Sequence, residues 1–419
     1  MNECQLQLIW EQQAFPKHPL VTTCGKSVMV NSQGKLNKDQ GPDFSLARIM
    51  IDQHEWVGNV ELHVRTSDWY LHGHHQDSKY SNVILHVVWI HDSSIFDHAP
   101  VLELSGILGQ PPELDAISTV QAKGNIRCAG LITIPPSQNV YSWLSILGNN
   151  RIEEKANHVL DCLDLYRGDW DSAAWLLMVK GFGYRVNADS FYALAKSIPF
   201  YLIRTYKYDL HMLEALLFGQ SGLLEQPWRD EYPQRLSASY KLIKKKFGLV
   251  GIANPLYFLR MRPNNFPTIR LSQLASLYHQ RQHIFRYIIE AQHHSDLSVF
   301  LRTGISTYWE THSTFDALGP RQVKLTGSTL IQSLIINVAV PLLVAYSRSI
   351  GNKVYNDKAM EWMQGLKSES NSILDQFSEA GFLSNSAFES QSLLELHQRF
   401  CSQGLCQQCV HGLEITWPN

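Results

Sequence analysis

The stretch Gly41-Pro42-Asp43-Phe44-Ser45-Leu46-Ala47-Arg48-Ile49-Met50-Ile51 runs through a polar Asp52-Gln53-His54-Glu55 into Trp56-Val57-Gly58-Asn59-Val60-Glu61-Leu62-His63-Val64. Two β-branched, aliphatic runs either side of a short polar turn predict an antiparallel hairpin, with strands over 44–51 and 57–64. Side chains alternate across a strand, so Glu61 and His63 share one face while Val60, Leu62 and Val64 point the other way, into a core. Asp43 stands at the mouth of the first strand. A carboxylate there, beside Glu-x-His on the paired strand, makes a compact oxygen and nitrogen site. Asp43 and Glu61 would be its metal ligands, and such a site suits Mg²⁺ or Mn²⁺. No comparable cluster of Asp, Glu and His occurs elsewhere in the chain.

Working outward, the spacing predicts a helix over 3–14 and a strand over 20–30 before the hairpin. Strands over 83–90 and 101–104 follow it, and Pro111-Pro112-Glu113 opens a helix to about residue 122, since Pro and an acid both suit a first helical turn. Asp68 follows the second hairpin strand directly. The run His72, His74 and His75 could add to a metal site or form a solvated loop, and the loop is the reading taken for it.

A chain of 419 residues is long for one core, so two domains are expected, 1–130 and 131–419. Pro135-Pro136 marks a linker over 132–138, after which the apolar period changes from 2 to 3.6. Helices are expected over 141–165, 170–180, 187–197, 210–217, 232–246 and 271–278. The fold class is therefore α+β, an α/β domain with a mixed sheet followed by a mostly α-helical domain. The 44% hydrophobic and 18% charged content is that of an ordinary soluble protein. A net charge of −2 gives no global basic signature, so nucleic acid as a partner would need a local patch. The most apolar window, 330–346, carries Gln332, Asn337 and Pro341 and reads as a buried helix, with no membrane partner. No secretion signal begins the sequence, and seven cysteines, an odd number, point to a reducing cytoplasm rather than a disulfide framework.

Arg260, Arg262 and Arg270 flank a Pro-bounded turn. Guanidinium forks match phosphate, which makes the three phosphate-binding candidates; pairing with acids to fix the loop is the alternative. The tail holds Cys401-x4-Cys406-x2-Cys409, with His397 before it and His411 after. This is thiolate metal spacing. Zinc would take a fourth ligand from His397, His411 or Cys128, and an iron–sulfur cluster would take Cys128. Three reduced cysteines in a helix-end turn are the plain alternative.

The order helix, strand, hairpin with Asp43 and Glu61-x-His63, then a later strand resembles the PD-(D/E)xK nuclease fold, with His63 where that family has Lys. Gln76-Asp77-Ser78-Lys79-Tyr80 is similar to the Gln-x-x-x-Tyr motif of its RecB-like branch. The resemblance implies a catalytic set of Asp43, Glu61, His63, Gln76 and Tyr80 in metal-dependent phosphodiester hydrolysis on nucleic acid. It also implies an iron–sulfur precedent for one upstream Cys and three near the end. Gly41 to Phe44, Trp56 to His63, Ser67-Asp68-Trp69, Asn82 to Val88, Leu213 to Leu224, Arg260 to Leu274 and the Cys401 to Gly412 tail together resemble a bacterial family, domain of unknown function 2851. That likeness implies a bacterial cytoplasmic protein and assigns no substrate. Two functions follow as expectations, a Mg²⁺- or Mn²⁺-dependent nuclease-like enzyme and a non-catalytic scaffold that binds protein or nucleic acid. Carboxylates of Asp43 and Glu61 converging in an open cleft favour the first, and burial or Arg pairing of either favours the second.

Overall fold

The hairpin at Asp43 and Glu61 forms where the alternation places it. In this computed structural model, which describes all residues but 17–18, 38–40, 94–95, 97, 111–125, 127, 129–135, 260, 282 and 414–419, the chain divides into two compact units, Met1–Ala122 and Lys123–Asn419. The division falls ahead of the expected boundary at 130, and Ile126 and Cys128 pack with helices of the second unit. The helix expected over 111–122 and most of the expected linker lie outside the described residues.

In the first unit the elements run α1 (Glu3–Glu11), β1 (Leu20–Val21), β2 (Ser27–Ser32), β3 (Lys35–Leu36), β4 (Phe44–Ile51), β5 (His54–Arg65), α2 (Asp68–Leu71), β6 (Val83–Ile90) and β7 (Val101–Glu103). The sheet order is β1-β2-β4-β5-β6-β7, with β3 on the far end of β4. The first four pairings are antiparallel, and β5–β6 and β6–β7 are parallel, so the sheet is mixed. The single strand expected over 20–30 is two strands. Gly25, at φ +85, turns the chain between them, a left-handed conformation that costs glycine little.

Strand β5 starts three residues earlier than expected because the hairpin turn is only Asp52 and Gln53, with Ile51 opposite His54. Register slips between Phe44 and Ala47, where Leu46 takes φ +57. Such a bulge re-aims the start of a strand, and here that start carries Asp43. Val60 and Leu62 are buried against Leu6, Ile9 and Trp10 of α1, as the alternation requires. Glu61 and His63 occupy the opposite face and are also buried, under residues 66–80 folding back across the sheet.

The second unit is helical, and among the described residues its only β pairings are the isolated bridges His312–Leu318 and Lys367–Ser386. Helices Gln138–Leu165, Trp170–Phe182, Ala188–Ser197, Leu210–Gln220, Glu231–Phe247 and Pro267–Gln280 fall on the six expected positions, most of them longer by a few residues. One helix, Ser328–Ile350, is long and apolar enough to cross a membrane, and most of its length is buried inside the protein. A π-turn at Ile335–Ala339 leads into Pro341 and absorbs the hydrogen bond that proline cannot make. Its polar residues are used internally: Gln332 donates to the Lys367 carbonyl and Asn337 accepts from Lys155.

Helices Leu210–Gln220 and Glu231–Phe247 cross where Gly219 lies flat against the Tyr240 ring, with no room for a Cβ, and the Tyr240 hydroxyl donates to Gln220 Oε1 at 2.6 Å. Gly219→Ala should therefore lower stability by about 3 kcal/mol, the scale of an overpacked core, despite the better helix propensity of alanine. Chemical denaturation checks this; an unchanged midpoint would mean the two helices can part without loss.

Candidate metal centre

Strand alternation alone brings Glu61 and His63 to one face, and the bulged start of β4 brings Asp43 beside them. The Asp43 backbone N–H donates to Glu61 Oε2 at 2.9 Å, and the Leu62 N–H donates to Asp43 Oδ2 at 3.0 Å. The two carboxylates are thus locked side by side by the ladder itself. Gln7 of α1 donates to Asp43 Oδ1 at 2.8 Å. Glu3 is one helical turn before Gln7 and on the same face, and its charge reaches both acids.

The other oxygen of Glu61 faces nitrogen. His74 Nε2 lies 3.2 Å and His63 Nε2 3.6 Å from Glu61 Oε1. His63 Nε2 is 3.1 Å from His72 Nδ1, and the ligand atoms of His63, His72 and His74 all fall within 4.8 Å of one another. The solvated-loop reading of the His run is therefore corrected for His74, while His72 stays exposed and touches His63. Two short 3-10 turns and the buried Trp69 fold that segment over β5, so a stretch without periodicity still converges. His75 is exposed, and Asp68 accepts from the Arg65 N–H at 2.9 Å and fixes the turn after β5.

Tyr80 joins the site. Its ring stacks on His74 at 3.8 Å. Gln76 does not join it among the described contacts: it is exposed, and its amide lies 3.1 Å from His75 Nε2. A Gln-x-x-x-Tyr pair shares a face on a regular helix or strand, and the two separate 3-10 turns that hold Gln76 and Tyr80 break that spacing.

The electrostatics follow from burial. Glu61 is 5% exposed, and burial, with Glu3 nearby, pushes its carboxyl up to about 8. Burial and then the Glu61 charge push Asp43 up to about 7. Among the described residues neither pairs with a Lys or Arg. Burial, then His86, His74 and His72, hold the His63 imidazole down to about 2, so it is neutral. His86 Nε2 is 2.9 Å from His63 Nδ1, while the buried His86 Nδ1 has no hydrogen-bond partner among the described residues. A bare buried lone pair costs less than an orphaned N–H, so His86 donates through Nε2 and His63 carries its proton on Nε2, facing Glu61 and His72. Tyr80 is held above the ordinary tyrosine range by burial and by Glu61, and keeps its proton.

The remaining candidates lie in the second unit. Arg260 is outside the described residues. Arg270 is held by amides rather than acids, donating to Asn265 Oδ1 at 2.7 Å and Gln273 Oε1 at 2.9 Å. Arg262 is exposed and lines a large cleft. Cys128, Cys401 and Cys409 pack on one small core with Phe377, Phe382 and Leu396. Burial, then Cys128, Cys409 and Cys406, raise the Cys401 thiol. Burial, then Cys409 and Cys406, push Cys128 up to about 11. The four thiols are thus neighbours, and Gly412 makes the tail turn because its backbone touches the Cys406 carbonyl where a Cβ would sit.

No curated protein and no solved structure matches the chain. A family model matches residues 3–372, which takes in the candidate metal centre and the three arginines and stops short of the cysteine tail. The chain belongs to the family that this model describes, Protein of unknown function (DUF2851).

Proposed function

We propose that the first unit is a divalent-metal-dependent phosphodiesterase acting on nucleic acid, built on a PD-(D/E)xK-like core. The observation that carries this is the donor set. Two adjacent carboxylates, Asp43 and Glu61, face His74 and His63 with no Lys or Arg paired to them among the described residues. Buried acids without a cationic partner are costly, and a divalent ion is the partner they fit. Asp43 and Glu61 would hold it, with His74 as an added nitrogen donor. One nitrogen among oxygens shifts the preference from Mg²⁺ toward Mn²⁺. The ion would supply Lewis acidity toward a phosphoryl oxygen and make water nucleophilic near neutral pH.

The chain's own groups do the rest. His63, neutral and with its proton on Nε2, orients water where the family Lys would stand; as a base it is too weak to take a proton near neutral pH. His72, exposed, accepts the His63 Nε2–H at Nδ1 and so helps to fix the direction in which that proton points. Tyr80 stays protonated and can donate to a phosphate oxygen.

A scaffold is the second reading, and the burial of Glu61 favours it. The cover, however, is the half-buried His74–Tyr80 pair rather than a packed core. Labelled single- and double-stranded DNA and RNA incubated with each metal decide between them. Cleavage is expected with Mn²⁺, less with Mg²⁺ and none in EDTA. His74→Ala should reduce the Mn²⁺-over-Mg²⁺ preference by about tenfold. Metal-independent cleavage would remove this mechanism, and no cleavage under any metal would leave the scaffold.

We also propose that Cys128, Cys401, Cys406 and Cys409 hold zinc or an iron–sulfur cluster. The support is that Cys128, Cys401 and Cys409, from two distant segments, pack on one small core, with Cys406 in electrostatic reach of them.

A further inference from the structure

The second unit contains a cleft of about 1240 Å³ between the helices Gln138–Leu165 and Trp170–Phe182 and the segments around Arg262, Asn337 and Glu369. Its walls mix polar and apolar groups and carry an excess of cations. Lys155, Lys180, Arg185 and Arg262 line it, and so do Arg151 and His158, against the acids Glu154 and Glu369. The acids are already engaged: Glu154 pairs with Arg399, and Glu369 accepts from Gln391. Two of the cations are not, whereas Arg151 pairs with Glu395 at 2.7 Å. Arg185 and Arg262 are exposed and have no carboxylate partner among the described residues. Lys180 rests over the Tyr192 ring at 5.1 Å. On the floor, the Lys155 ammonium donates only to amide oxygens, Asn337 Oδ1 at 2.7 Å and Gln391 Oε1 at 2.6 Å. Burial and then the Arg151 charge press it down to about 7, against the pull of the Glu369 and Glu395 charges.

At the mouth stands Tyr184, 44% exposed and held at φ +52, a left-handed conformation that a tyrosine rarely adopts. An exposed ring beside unpaired guanidinium groups is the pairing used to bind single strands, with cations on phosphates and a ring under a base. A drug-sized apolar ligand would want about 300–1,000 Å³ of mainly apolar wall, and this cleft is larger and lined by several cations.

We propose that this cleft binds a single strand of nucleic acid, with Arg185 and Arg262 on its phosphates and Tyr184 as the platform for a base. The inference does not depend on the metal-centre reading, and its test is arranged to keep the two apart. Full-length protein carrying Glu61→Gln, in EDTA, is titrated into fluorescein-labelled 12-nucleotide DNA and RNA and followed by anisotropy, so that neither hydrolysis nor a metal enters. Binding should weaken as salt rises, with a slope of log K on log salt of about −1.4, that is about −0.7 for each of the two arginine–phosphate contacts. Arg185→Glu with Arg262→Glu should weaken binding by about tenfold or more and reduce the slope to under about 1 in magnitude. Both positions are exposed and unpaired, so the thermal melt should not move. A photoreactive 5-iodouracil strand should cross-link to the peptide holding Tyr184. Absence of binding, binding indifferent to the double variant, or a cross-link confined to other peptides would overturn the proposal. So would AMP competing at the same concentration as the 12-mer, which would make the cleft a mononucleotide site.

Discussion

Glu61→Gln should lower metal-dependent cleavage by about three orders of magnitude or more and, in chelator at pH 8.5, raise the stability of the fold. Both effects come from one negative charge. The substituted amide would keep the shape of the side chain and could still accept the Asp43 N–H through its oxygen. It could not help to neutralise a divalent ion. The stability effect has a definite sign. The folded carboxyl titrates at about 8, and an ordinary glutamate titrates near 4.5. Between those values the folded state holds a proton that the unfolded chain has released, so stability falls as pH rises through the window. The glutamine variant lacks that titration. Its advantage over the wild type should be near zero at pH 4.5 and grow to on the order of 3 kcal/mol by pH 8.5 in EDTA. Asp43 adds to the trend, because loss of the Glu61 charge lowers its own carboxyl toward the normal range. His63 and His86 act at the other end. Their folded values are depressed to about 2 and about 3, so the stability they contribute is present above the ordinary histidine value of 6.5 and is lost as pH falls below it. That acid-side loss is shared by wild type and variant and cancels in the difference. Saturating Mn²⁺ should reverse the order at pH 8.5, stabilising the wild type and leaving the variant nearly unmoved. Paired thermal melts across pH, with and without Mn²⁺, measure all of this. A variant less stable than wild type in EDTA at every pH would show that Glu61 is a satisfied core group and not a ligand waiting for a cation.

The hairpin was legible because period-2 alternation and a polar turn leave one register in which Val60 and Leu62 are buried. The β4 limits, Phe44–Ile51, match the expectation for that reason. The pair of strands in place of one at residues 20–30 was signalled only by Thr22-Thr23-Cys24-Gly25, a turn-type cluster inside an apolar run. Site residues divide by the same logic. Glu61, His63 and Asp43 follow from strand geometry, which sequence spacing reports directly. His72 and His74 lie in 3-10 turns, where spacing says nothing about direction; the usable signal was Trp69, an anchor close enough to fold the segment back. Glu3 and Gln7 were readable as an i, i+4 pair on an amphipathic helix, but which sheet face that helix covers is a tertiary fact. The opposite error arose at Gln76, whose motif spacing presumes a regular helix or strand that the chain does not form there. His86 carries no motif at all and matters only because it sits behind His63.

Removal of metal from the cysteine tail should release that tail while the rest of the second unit stays folded. The core beneath it is small, with Leu144, Leu147, Phe377, Phe382, Leu393 and Leu396 among its buried members, and the tail adds two short 3-10 turns and a final turn of helix. Elements that short cannot hold themselves by backbone cooperativity. Two ring contacts fasten them, Phe400 on Trp143 at 5.0 Å and His411 on Phe382 at 4.8 Å. Against that modest apolar hold, four thiolates on zinc or on an iron–sulfur cluster would supply most of the closure, since metal affinity in such small units is folding free energy. In the apo form burial and mutual proximity raise Cys128 and Cys401 and keep them protonated, so the thiols supply packing and no bond to the closure. Protein purified without oxygen should therefore contain zinc, or iron with sulfide, in stoichiometric amount. Cys409→Ser should lose that metal and expose residues around 400–413 to limited proteolysis, raising the cleavage rate there by about 10²-fold. The contrast with Cys24→Ser is the control, since Cys24 is exposed and lies on the other unit. Metal-free protein with a protease-resistant tail would reduce the four cysteines to packing groups, and the ring contacts would then be sufficient to hold the end of the chain.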